Sequence, residues 1–186
     1  MILAACLLGV VLGLLAGGRW RSIWCKRFRV WPLLFLSLFC EWLLASVRVQ
    51  TFLVRFDQPQ LLRALLAVLQ YGLVSVFLAR NWRKPGLLAV LAGSLLNGLV
   101  IVANGGRMPV GSAISRFGAE ALDKLSQVPH YFAAGGQEPL LFFADLIPFA
   151  GYMISVGDIL IALGLFLLGL YLPFRLVRPT QTLAKP

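Results

Sequence analysis

Five apolar runs recur along the chain, at 2–18, 30–47, 61–79, 87–103 and 153–174, and short charged clusters separate most of them. Each is 17 to 22 residues long. A helix that crosses a bilayer needs about 20 apolar residues, with about 17 near the lower limit. The pattern predicts an all-α integral membrane protein with about five transmembrane helices, built as a single membrane domain over 1–186. Small residues refine this picture. Gly9, Gly13 and Gly17 recur every four positions, one step after Ala5, and set a groove on one face of the first helix where another helix packs closely. Gly157 and Gly164 share a face of the last helix.

The stretch 104–152 breaks the pattern. It opens on Asn104-Gly105-Gly106, which is turn chemistry, and continues into an amphipathic segment. Between Ser112 and Val128, Ile114, Phe117, Ala121, Leu122, Leu125 and Val128 follow a period near 3.6. A helix that lies on the membrane surface or caps the bundle has this pattern. Arg116, Glu120 and Lys124 form an i, i+4 ladder on its polar side. Leu140 to Tyr152 is apolar but too short to cross, and reads as a re-entrant or interfacial segment.

Composition agrees with lipid as part of the solvent. The chain is 60% apolar with a mean hydropathy of +0.86, against roughly 45–50% apolar for a soluble domain. The net charge of +10 invites a nucleic-acid partner, but the basic residues sit between apolar runs, where they set topology instead. The 19–29 loop, the 80–84 loop and the tail hold eleven basic residues and no acid; the other side holds six, with every acid except Glu41. The bias predicts a plasma-membrane protein with its amino terminus outside, its carboxyl terminus cytoplasmic and 104–152 on the outer face. Cys6, Cys25 and Cys40 have no metal-ligand spacing, so neither a metal nor a cofactor is expected.

Polar residues inside the runs mark the candidate chemistry. Glu41 lies in the middle of the second run, where a carboxylate is costly unless protonated or paired. It is expected to face the bundle interior and to find Gln70 or Asn97. On the outer face, the backbone N–H groups of Asn104, Gly105 and Gly106 with Arg107 form a candidate anion site, for a carboxylate or a lipid headgroup. The alternative is a tight turn with Arg107 reaching headgroups. Asp145 in its apolar segment and Asp158 at the mouth of the last helix each need a partner or water. Two carboxylates at one face can share a proton, so they form a candidate catalytic pair, with His130 beside aromatics as a further candidate. Asn104, Arg107, Asp145 and Asp158 are expected to converge on one pocket.

The sequences Asn104-Gly105-Gly106-Arg107-Met108-Pro109-Val110, Asp145-Leu146-Ile147-Pro148 and Ser155-Val156-Gly157-Asp158-Ile159-Leu160-Ile161, with His130, resemble a bacterial domain-of-unknown-function family of small multi-pass membrane proteins. That family carries motifs of the type NGGRMPV, GDIIP and S-x-GD-x-LI. The resemblance is concentrated after Ala103 and implies no particular activity; Ala144-Asp145 departs from the family's Gly-Asp. The layout from Ser155 to Ile161 is also similar to the lipoprotein signal peptidases, membrane aspartyl proteases. That resemblance implies Asp145 and Asp158 as the dyad and Asn104 as a polar helper. Two departures stand against it: the Asn/Gly motif follows the fourth span rather than the first, and that family has four spans with both ends inside.

Three classes of function fit these residues. The first is a non-catalytic membrane protein whose outer polar site binds a protein partner, a lipid or a small anion. The second is a membrane-embedded hydrolase using Asp145 and Asp158. The third is a small proton-coupled transporter using Glu41 and Asn97; inverted repeats, which would favour it, are not seen.

Overall fold

The computed structural model describes residues 1–24 and 27–174. Cys25, named for its spacing, and Lys26, Arg175, Arg178 and Lys185, which figure in the charge argument, lie outside the described residues. The fold is mostly helical, with α1 (Ile2–Leu15), α2 (Trp20–Trp24), α3 (Pro32–Ala45), α4 (Val47–Leu53), α5 (Pro59–Arg80), α6 (Leu87–Ala103), α7 (Ala119–Gln127) and α8 (Val156–Tyr171).

Helix α5, with 22 residues, is long and apolar enough to cross a membrane by itself. Helices α3 and α4 pass the same test as a pair, bent by 70°. Helices α1, α6 and α8 are apolar but shorter, at 14, 17 and 16 residues. The boundaries have local causes. Proline at the first turn starts α3 and α5, where its missing N–H costs nothing. The chain turns at extended Ser46 into α4, so part of the expected 48–60 loop is helical. The last helix starts at Val156 rather than Met153, because residues 152–154 pair as a strand.

Close helix contacts run through glycine. Gly9 lies against the Phe166 carbonyl and Gly13 against Leu170 and Pro173, so α1 and α8 run side by side in the same direction. Gly17 takes no part: with φ +92° it ends the first helix in a turn, and no atom lies within 4 Å of where its Cβ would be. Gly93 meets Gly157 and Ile161, and Gly86 meets Gly164, so α6 opposes α8. Helices α3 and α5 are also opposed, with Phe28 against Phe77 at one end and Glu41 against Gln70 further along.

The 104–155 segment caps one end of this bundle. Strand β1 (Met108–Val110) pairs in parallel with β2 (Tyr131–Ala133), and Asp145 bridges the far side of Val110. Strands β3 (Ile147–Phe149) and β4 (Tyr152–Ile154) form an antiparallel hairpin across Ala150-Gly151. The fold is therefore not purely helical. The segment expected to be re-entrant or interfacial is a single 3-10 turn, Leu141–Phe143, followed by this hairpin. Pro148 lacks an N–H and Leu140 has φ +57°, so neither suits a continuous helix. The expected 112–128 helix is likewise split into a 3-10 helix, Ser112–Phe117, and α7, because Gly118 sits at φ +90° between them. The break removes Arg116 from the ladder and leaves Lys124 on Glu120 at 2.7 Å.

Leu44, Ala67, Val100 and Ile101 meet Met108 and Ala144 under the cap. Phe77, Leu87, Val90 and Leu168 form the core at the far end. The outward helix faces are apolar as well: Phe35, Trp42, Leu88 and Leu99 are all exposed.

Candidate functional site

A cavity of about 280 Å³ lies between α3, α5, α6 and α8, directly under the cap. Glu41, Gln70, Asn97, His130, Asp145 and Asp158 all line it. Tyr71, Ser94 and Tyr131 join them; sequence reasoning missed these three as site residues. Tyr131 had a signal, since it follows His130 directly where the amphipathic stretch ends. Tyr71 adjoins Gln70, and Ser94 is one turn from Asn97.

Helix geometry supplies the floor. The Gln70 side-chain amide donates to Glu41 Oε2 at 2.9 Å, which joins α5 to α3. Asn97 Nδ2 donates to Asp158 Oδ1 at 2.9 Å, and Ser155 Oγ donates to Asn97 Oδ1 at 2.9 Å. Ser155 also caps α8: its hydroxyl accepts from the Asp158 N–H, and Asp158 Oδ2 accepts from the Ser155 N–H at 3.1 Å. This reciprocal pair satisfies two helix-end donors. Asp158 is thus held by partners on both oxygens.

Asp145 is different. Its backbone is pinned beside β1, its N–H donating to Pro109 at 3.2 Å and its carbonyl accepting from Gly111 at 2.9 Å. Its side chain is only 6% exposed, and Oδ1 has no hydrogen-bond partner. Burial, and after it the charge of Asp158, push its carboxyl up to about 7. His130 Nδ1 and Gln70 Oε1 are also buried without partners. Burial, and then the nearby Arg107 charge, hold the His130 imidazole below its ordinary value, so it is neutral at pH 7. Burial, followed by the charges of Asp145, Asp158 and Glu41, pushes the Tyr131 phenol up to about 12, so it keeps its proton.

Asn104, Gly105, Gly106 and Arg107 do not reach this cavity. The N–H groups of Asn104, Gly105 and Gly106 are used by the last carbonyls of α6, so the expected anion nest does not form. Gly106, at φ +82°, packs against the Arg63 backbone with no room for a Cβ. Asn104 Nδ2 donates to the carbonyls of Val100 and Pro139. Arg107 donates to the carbonyls of Pro129 and Tyr131 and lies 5.2 Å from the Phe132 ring. A carbonyl that no strand or helix supplies with a donor needs one from elsewhere; Arg107 serves that need in the cap, while Asn104 ties the end of α6 to the exposed Pro139 carbonyl. The expected four-residue convergence reduces to Asp145 and Asp158, joined by residues from the helices.

Fold and site together define a class: apolar helices around an acidic cavity, closed at one end by a small cap of short strands and helical turns. The chain belongs to the family of unknown function DUF5317, whose model matches residues 26–170. No curated protein and no solved structure matches it.

Proposed function

We propose that this is a multi-pass protein of the plasma membrane whose cavity binds a small protonated amine from the outer side. Two features support the membrane setting: helices apolar on their outward faces, and an alternation of helix directions that fits five crossings. Residues flanking α1 and α8 extend their apolar stretches toward the roughly 17–25 residues a crossing uses, and α6 has 17 by itself. The charge bias supports the cap outside.

One observation carries the ligand class. Three residues that line one cavity, Asp145, Gln70 and neutral His130, each carry a buried acceptor without a partner, at Oδ1, Oε1 and Nδ1 respectively. The imidazole accepts there when its other nitrogen carries the proton. A primary ammonium brings three donors and a positive charge, which three carboxyl-bearing residues favour. Among the described residues no lysine or arginine lines the cavity, so the anion expected from the sequence has no counter-charge there. Binding an ammonium requires ionised Asp145, so ligand entry releases a proton when the pH is below about 7. That coupling is what a proton-coupled carrier of amines would use.

The test is thermal unfolding of the purified full chain in detergent, with ammonium or methylammonium exchanged for sodium at constant ionic strength. Saturable stabilisation is expected, and Asp145→Asn should abolish it. Equal stabilisation by phosphate, or full retention in Asp145→Asn, would overturn the reading.

A hydrolase is the second reading, and the elevated Asp145 pKa in the field of Asp158 favours it. It requires Asp158 to release Asn97 to a substrate. Competition between ammonium and a tetrahedral analogue of peptide hydrolysis would favour this reading over simple amine binding.

A further inference from the structure

A second cavity, of about 370 Å³, runs through the cap between the 112–127 helices and the β3–β4 hairpin. Small-molecule sites are typically about 300–1,000 Å³. Its walls are apolar, from Val110, Ile114, Phe117, Leu125, Val128 and Met153. Asp145 and Tyr131 line both this groove and the acidic cavity. Asp145, a residue only 6% exposed whose carboxyl has one oxygen without a partner, is therefore shared by the groove and the acidic cavity. An apolar groove bordered by such a residue fits a molecule with a hydrocarbon body and a donor head.

The hairpin indicates where that molecule comes from. Gly151 and Tyr152, at the hairpin turn, line the groove. The hairpin and the turn before it expose Phe142, Phe149 and Tyr152. Exposed aromatic rings of this kind favour the headgroup level of a bilayer, and Tyr152 is both one of these rings and part of the groove's lining. Lys124 stands at the rim, largely exposed and paired with Glu120 at 2.7 Å, so its charge is compensated at the solvent edge.

We propose that this groove holds the hydrocarbon chain of a membrane-borne amphiphile whose protonated amine head lies against Asp145. The proposal rests on the amine reading of the cavity and adds the substrate class: a long-chain amine drawn from the outer leaflet.

The experiment uses the full chain in phosphatidylcholine nanodiscs, with native mass spectrometry counting bound dodecylamine, butylamine or dodecanoate. Ala121→Trp fills the groove from α7, and Val128→Trp fills it from another position. Dodecylamine should bind about tenfold or more weakly to each groove variant and to Asp145→Asn, the scale of losing one charge-assisted contact or the buried chain. Butylamine should be weakened by Asp145→Asn alone, and its retention by the groove variants shows that they are folded. If both groove variants bind dodecylamine normally while butylamine still depends on Asp145, the groove proposal fails and the cavity reading stands. If Asp145→Asn alters neither amine, both fail. If dodecanoate binds as tightly as dodecylamine, the assignment of the head fails.

Discussion

At the scale of single residues, partnering separates the three acids that line the cavity. Glu41 has Gln70, and Asp158 has Asn97 and the Ser155 N–H; Asp145 Oδ1 has nothing. The Glu41 arrangement was legible because a carboxyl in an apolar run needs a polar partner, and only a few polar residues were within reach. Arg107 was not legible in the same way. Its charge pointed to an anion, but the unpaired carbonyls it serves belong to Pro129 and Tyr131, whose approach depends on the cap's tertiary fold. Asp145 yields a prediction with a definite sign. Its folded pKa, about 7, lies above the ordinary 3.8, so the folded state holds the extra proton between those values. Stability is then greatest at the acidic end of this window and falls as the pH rises through about 7, by a few kcal/mol at about 1.4 kcal/mol per pKa unit. Infrared difference spectra should show a protonated carboxyl band that titrates near pH 7 and is missing in Asp145→Asn, and the same variant should flatten the stability slope. A wild-type slope that persists in Asp145→Asn would assign the effect to another group.

Among the elements, glycine decides which helices approach. A Cβ at Gly93 would fall 2.8 Å from Ile161 Cγ1 and collide with the Gly157 carbonyl, whereas one at Gly72 on α5 would meet nothing within 4 Å. Gly93→Ala should therefore force α6 from α8 and separate Asn97 from Asp158, costing about 1–3 kcal/mol as overpacking does. Gly72→Ala should be neutral or stabilising by about 0.5–1 kcal/mol, because alanine suits a helix interior better. Unfolding midpoints of the two variants check this; equal destabilisation would mean that α6 and α8 are not packed so closely. Helix α6 was readable to the residue, since Pro85-Gly86 and Asn104-Gly105 bracket a continuous apolar run. The cap was much less readable. Each of its strands is three residues long and finds its partner either far along the chain or across a two-residue turn, so no periodicity develops. The 3.6-period signal over 112–128 was real for the apolar face but blind to Gly118, whose positive φ cuts the helix in two.

For the whole molecule, the directions of the helices and the distribution of charge point the same way. Helices α1, α5 and α8 run from the cap toward the far end, and α3 and α6 run back. The far end carries Arg19, Arg21, Arg27, Arg29, Arg80, Arg83 and Lys84 among the described residues, while the cap end holds the acids. Embedded in a bilayer with the cap outside, the molecule would hold the acidic cavity below the outer headgroups and the groove's Tyr152 near them. The most direct test is labelling by a membrane-impermeant maleimide in intact cells, with Cys6, Cys25 and Cys40 replaced by alanine. Gln137→Cys in the cap and Arg83→Cys at the far end are both exposed positions. The account predicts that Gln137→Cys is labelled in intact cells, that Arg83→Cys is labelled only after permeabilisation, and that the protein stays in the membrane through an alkaline carbonate wash. The reverse labelling pattern, or release by the wash, would contradict it.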